Sequence, residues 1–135
     1  MGNDKGFTLI EIVAVLVVLG VVSAILVAGN LGSDTERRAS ADMLKVHLRY
    51  AQSRSMNGDL PWGVRFDGSS YTLVRDISGT PSDVLFPGEN SLSMDLPDLV
   101  AGTVGFDTWG RPSGLSTISL GSQVVTITPD TGFIP

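Results

Sequence analysis

Glu11 is the residue whose chemistry is hardest to ignore. It stands at the edge of a stretch, Ile12 to Ala28, that contains no charged residue. A carboxylate at membrane depth costs several kcal/mol unless it is neutralised or paired, so its presence is a functional signal. Other groups capable of chemistry are sparse. His47 is the single histidine, and with no carboxylate cluster nearby it is a poor metal ligand and reads as a packing or surface residue. Asp95 and Asp98 form a close pair but flank Pro97 in a turn-rich segment, where solvated turn carboxylates are the plain reading. Asp107 and Asp130 do not supply the several oxygen ligands that calcium wants. The chain has no cysteine and no Gly-x-Ser-x-Gly nucleophile motif, which removes thiol chemistry, disulfides and cysteine-zinc sites and argues against an enzyme. No cofactor and no metal is expected.

The elements that position Glu11 follow from its surroundings. Phe7 to Ala28 is 22 residues, roughly 33 Å of helix at 1.5 Å per residue, enough to cross a bilayer. This run is too long for the core of a secretory signal and lacks an Ala-x-Ala-like cleavage site after it. Lys5 is the only basic side chain before it, offset by Asp4, so orientation is weakly encoded by side chains. Phe7 and Glu11 are spaced i, i+4 and share a helix face. Gly20 permits close approach of another helix. Gly29-Asn30-Leu31-Gly32 lowers helix propensity and marks a weak point, after which Ser33 or Asp34 is a candidate cap for a new or resumed helix.

The sequence Lys5-Gly6-Phe7-Thr8-Leu9-Ile10-Glu11, joined to this apolar run, resembles the processing and assembly motif of type IV pilins and type II secretion pseudopilins. The resemblance implies that a prepilin peptidase cuts between Gly6 and Phe7 and that the new N-terminal Phe7 is N-methylated. It also implies that Glu11 compensates the amine of a neighbouring subunit during assembly. The implied organisation is a leader over residues 1–6, a transmembrane and assembly helix over 7–32, and a periplasmic pilin-like α+β domain over 33–135. The implied partners are other pilin or pseudopilin subunits, the prepilin peptidase acting on this chain as substrate, and an inner-membrane assembly platform. The implied location is the bacterial inner membrane, with the C-terminal domain periplasmic and assembled into a periplasmic pseudopilus.

Beyond the apolar run, Ala39, Met43, Leu44, Val46, Leu48, Tyr50 and Ala51 recur at three- and four-residue intervals, which predicts an amphipathic helix over 34–56. Asn57-Gly58 stops it. Short strands follow. Trp62–Phe66 and Tyr71–Arg75 flank the turn Asp67-Gly68-Ser69-Ser70. Val84–Phe86 and Leu99–Phe106 are further strands, and Thr117–Leu120 and Gln123–Thr128 flank Gly121-Ser122. Residues 76–98, with three prolines and two glycines, read as a long loop. The expected fold is α+β: a long N-terminal helix, membrane-spanning in its first half and amphipathic in its second, packed on an antiparallel β-sheet.

The order of these segments resembles the H-type minor pseudopilins of type II secretion and the FimT-like minor pilins. Trp109-Gly110-Arg111-Pro112 also resembles the Trp-Gly-x-Pro segment of the major pseudopilin, whose following loop binds calcium. Here Ser113 to Pro135 holds one acidic residue, Asp130, so that site is not carried over. The net charge is −5, and residues 57–135 carry nine acidic residues against Arg65, Arg75 and Arg111. Such a balance argues against nucleic acid as a partner, and the stretch Gln123 to Pro135 has no Lys or Arg. The expected function is that of a minor structural subunit of a type II secretion pseudopilus. The alternative is a minor type IV pilin serving pilus assembly or DNA uptake.

Overall fold

A computed structural model describes residues 8–135, except for the side chains of residues 27–34. The leader expected over residues 1–6, and with it Gly6 and Phe7, lies outside the described residues, as do the side chains of Ser33 and Asp34 expected to cap a helix. The chain divides into two units, Met1–Glu36 and Arg37–Pro135. Each is taken by itself.

Helix α1 spans Leu9–Met56. It opens where the Thr8 carbonyl accepts the amides of Glu11, at 3.0 Å, and Ile12, at 3.2 Å. No proline occurs before Pro61, and the run that follows Thr8 is rich in residues with modest to good helix propensity. The weak point at Gly29-Asn30-Leu31-Gly32 does not interrupt the helix, in keeping with the long N-terminal helix expected. Two glycines weaken a helix by about 1 kcal/mol each relative to alanine, too little to stop one flanked by long helical stretches on both sides. The end is as expected: the Asn57 amide bonds the Ser53 carbonyl at 3.1 Å, and its side-chain amide caps the same oxygen at 2.8 Å.

In the second unit, α1 buries Ala41, Leu44, His47, Leu48, Ala51 and Ser55. This spacing of three and four residues is the helical repeat. It corrects the expected stripe in part. Leu44, Leu48 and Ala51 are core, whereas Met43 and Val46 are 50% and 55% exposed. Two apolar stripes are interleaved on this helix, and periodicity alone does not say which one meets the sheet.

The sheet is antiparallel, with the order β3-β2-β1-β5-β6 and β4 also paired to β2. Its strands are β1 (Trp62–Phe66), β2 (Ser70–Arg75), β3 (Ser82–Val84), β4 (Ser93–Asp95), β5 (Gly102–Phe106) and β6 (Pro112–Gly114). A separate ribbon joins β7 (Thr117–Leu120) to β8 (Gln123–Thr126). The 76–98 segment is thus not simply a loop: β3 pairs with the end of β2 and β4 with its start. Each is three residues long, below the length at which alternation can be recognised. The β1–β2 turn is held by Asp67, whose carboxylate accepts the amides of Ser69, at 2.9 Å, and Ser70, at 2.6 Å. The Ser69 amide and the Ser70 hydroxyl and amide hold its pKa down at about 2.

Trp62, Val64, Phe66, Leu73, Val104 and Phe106 join the helical stripe in one core. Gly63 and Gly105 face each other across β1 and β5. A side chain at Gly63 would strike the Val104 carbonyl, and one at Gly105 would strike Ile77, which lies over this glycine pair. Helix and sheet are also tied by a buried polar contact. Ser55 Oγ accepts the Trp62 amide at 2.6 Å and donates to the Phe106 carbonyl at 2.9 Å. Replacing Ser55 with alanine removes both contacts from a buried site, at a cost of about 1–3 kcal/mol. Urea unfolding of the detergent-held chain, followed by tryptophan fluorescence, should show a lowered midpoint. An unchanged midpoint would refute the tie.

Candidate functional site

The candidate site begins at the first turn of α1. Glu11 is the one acidic residue there, where the unpaired amides and the helix dipole favour a negative charge. With Ile12, Val15 and Leu16 it lines a hollow of about 300 Å³ on the helix surface. The next residues are apolar on every side. Leu9–Leu26 has a mean hydropathy of 2.9 and none of it is buried. Ser23, the polar interruption in this run, satisfies its hydroxyl on the Leu19 carbonyl at 2.8 Å. Gly20 has open space where a side chain would stand. This part of the helix is therefore long and apolar enough to span a membrane, with one carboxylate at its start.

The other sequence candidates fall elsewhere. His47 is buried, stacked on Phe86 with ring centroids 3.9 Å apart, and its Nδ1 lies 2.9 Å from the Tyr71 hydroxyl. This settles it as a packing residue. Asp95 and Asp98 are exposed, Asp98 with a positive φ of 65°. Asp107 organises a turn: its carboxylate accepts the amides of Trp109, at 2.9 Å, and Arg111, at 2.8 Å. Asp130 is exposed in the turn after β8. Among the described residues no three His, Cys, Asp or Glu side chains are grouped as metal ligands.

Sequence reasoning missed two polar devices. Gln52 donates from Nε2 to the carbonyls of Gly110, at 2.9 Å, Thr131, at 3.2 Å, and Gly132, at 3.2 Å. Arg49 donates to the Ile134 carbonyl at 2.8 Å. Together they hold the Trp109 turn and the C-terminal segment on α1. A glutamine inside an amphipathic helix carries no local sign of this, because its acceptors lie 58 to 80 residues away. Trp109 itself is 80% exposed, although it is one of only two tryptophans.

Residues 1–27 match the family model of the prokaryotic N-terminal methylation motif. The match takes in the Gly6-Phe7 junction, Glu11 and most of the apolar run, and it supports a type IV pilin-like, prepilin-type protein with a membrane-anchoring helix. Such an N-terminus implies processing by prepilin peptidase and assembly with other pilin subunits. Comparison with curated proteins and with solved structures gives no match.

Burial lowers the His47 pKa from 6.5, an effect partly offset by the nearby Glu89 carboxylate. The same burial, with Glu89, raises Tyr71 to about 12, so the phenol stays protonated. A depressed histidine favours the folded state fully above its unfolded value, and that contribution is lost as pH falls through the folded one. The thermal midpoint of the detergent-held chain should therefore drop as pH is lowered below about 6.5, with a smaller drop in His47→Gln. Equal pH dependence in the two proteins would show that His47 is not the responsible group.

Proposed function

We propose that this chain is a minor structural subunit of a type II secretion pseudopilus, anchored in the bacterial inner membrane with its α+β domain in the periplasm, and that it is not an enzyme. One observation carries the reading. The N-terminal methylation motif runs directly into a wholly exposed apolar helix that bears a single carboxylate in its first turn. On this reading residues 1–6 are a leader, 7–32 the transmembrane and assembly helix, and 33–135 the periplasmic domain.

The mechanism follows from electrostatics. Cleavage between Gly6 and Phe7 creates an ammonium at the N-terminus of the helix, and methylation of Phe7 leaves that amine basic. Glu11 of an incoming subunit then pairs with the Phe7 amine of a neighbour. A charge-assisted contact in low dielectric is strong and directional. It offsets the cost of holding a carboxylate at membrane depth only when the subunits are in register. Apolar packing supplies most of the contact area but tolerates sliding. The exposed Met43 and Val46 extend apolar surface into the amphipathic part of α1, where another subunit's helix can cover it.

A second reading is a minor type IV pilin for pilus assembly or DNA uptake. Arg37, Arg38, Lys45, Arg49 and Arg54, all on α1, favour it, and the acidic remainder opposes it. Salt-dependent DNA retention by the purified chain would select it.

Mass spectrometry of the membrane form should show residues 1–6 removed and a methyl group on Phe7. An intact Met1 in a host with active prepilin peptidase would overturn the assignment. Glu11→Leu should insert and be processed normally, yet enter filaments at a level lower by about tenfold or more, as befits a lost charge-assisted contact. Incorporation at the wild-type level would remove the pairing role.

A further inference from the structure

Neither the processing site nor Glu11 accounts for a cleft on the second unit. Its volume is about 470 Å³, and its lining includes Arg54, Asp59, Leu60, Trp62, Arg75 and Val84. Trp62, only 6% exposed, is part of that lining. The Arg54 guanidinium carbon stands 4.9 Å from the centroid of the Trp62 ring. Arg75 is the cross-strand partner of Trp62 in the β1–β2 register. One indole is thus bracketed by two arginines, one stacked on it and one placed opposite it on the next strand.

Both arginines are exposed, and neither has a carboxylate partner among the described residues. The contrast with Arg65 is instructive: on the same sheet it takes both oxygens of Asp83, at 2.8 and 2.9 Å. A guanidinium stacked on an aromatic face keeps its in-plane N–H edge available for a bidentate acceptor. Asp59 on the rim cancels one of the two charges, so the cleft remains cationic. Leu60, Trp62 and Val84 make its remaining lining apolar, which suits a carboxylate on a partly apolar body better than a strongly hydrated phosphate.

We propose that this cleft receives an acidic side chain, flanked by an apolar one, from a loop of the adjacent subunit in the filament. The inference rests on the proposed function and deepens it. Glu11 fixes the apolar helices in register, and the Arg54–Trp62–Arg75 cleft makes a second, independent contact between soluble domains. Its chemistry selects the neighbour. An arginine pair beside an aromatic favours an acidic segment and rejects a basic one, and aromatic and arginine side chains are the usual anchors of protein interfaces.

The test uses the full chain in its native membrane, with a benzophenone amino acid in place of Asp59 on the cleft rim. Irradiation should give an adduct that peptide mass spectrometry maps to a segment of a pilin-like subunit containing Asp or Glu beside an apolar residue. The adduct should fall by about tenfold in the Arg54→Gln, Arg75→Gln double variant, the loss expected for a charge-assisted contact. It should persist in Arg111→Gln, which removes an exposed arginine elsewhere. A charge swap guards against misfolding: Arg75→Glu should abolish the adduct, and a basic residue at the mapped partner carboxylate should restore it. No adduct, an adduct to lipid, an adduct to a segment without carboxylates, or full persistence in the double variant would overturn the proposal. Phe7 processing and Glu11-dependent incorporation would be unaffected by that failure, so loss of the cleft and loss of the filament reading are separable.

Discussion

Water is a poor solvent for Leu9–Leu26, eighteen residues of high hydropathy of which none is buried. At about 25 cal/mol per Å² of apolar surface, leaving such a helix in water costs many kcal/mol. The molecule is therefore incomplete without a second environment. A bilayer satisfies this helix because all its backbone groups bond within the segment, and even Ser23 closes its hydroxyl onto the turn before it. Other apolar helices satisfy it equally well. On the proposed function, that equivalence lets the subunit pass from lipid to filament without a large change in the solvation of its apolar surface.

The second half of α1 obeys a different constraint. Here the helix is the floor of a small core, and the sheet supplies the cover. Beside β1 only β2 and β5, one on each side, reach five residues in the six-strand sheet, so it depends on the helix for stability. The ties are of several kinds. Leu44, Leu48 and Ala51 pack, Ser55 bonds two strands, Gln52 and Arg49 hold the C-terminal segment, and His47 stacks beneath the loop that carries Phe86. Polar side chains on this helix thus reach well beyond its own turn, which is how a thin sheet and a separate ribbon are gathered on one element.

Much of this was legible in the sequence where a local rule forces the structure. Asp67-Gly68 specifies a turn because the carboxylate caps the following amides and Gly68 takes a φ of 102°. Trp62–Phe66 reads as a strand because its large residues alternate. The helix was harder to read where a local rule is weak. Glycines at 29 and 32 mark a weak point, and a preference of about 1 kcal/mol per residue does not turn it into a break in a long helix. Met43 and Val46 looked like core because periodicity identifies a stripe without identifying its partner. β4 and β6 were invisible because strands of three residues owe their existence to the neighbour they pair with. At the candidate site the situation reverses. The methylation motif over residues 1–27 was legible from residue order alone, since such a motif is local by nature, and the roles proposed for Gly6, Phe7 and Glu11 rest on it. The Arg54–Trp62–Arg75 cleft depends on a cross-strand register and could not be seen before the sheet was in place.

The placement of charge bears on how such a chain could be both mobile and specific. An apolar helix surface has no preferred axial position, since one leucine–valine contact is nearly as good as the next. On the proposed function the subunit needs one position, which the proposed Glu11 pairing would supply. Among Leu9–Leu26 the single charged residue is Glu11, and a buried carboxylate is tolerable only where a cation meets it. The penalty for a wrong register is then the cost of an unpaired charge held away from water. A single polar group therefore does what many apolar ones cannot. It need not make the assembly stronger to be useful; it makes every other alignment worse.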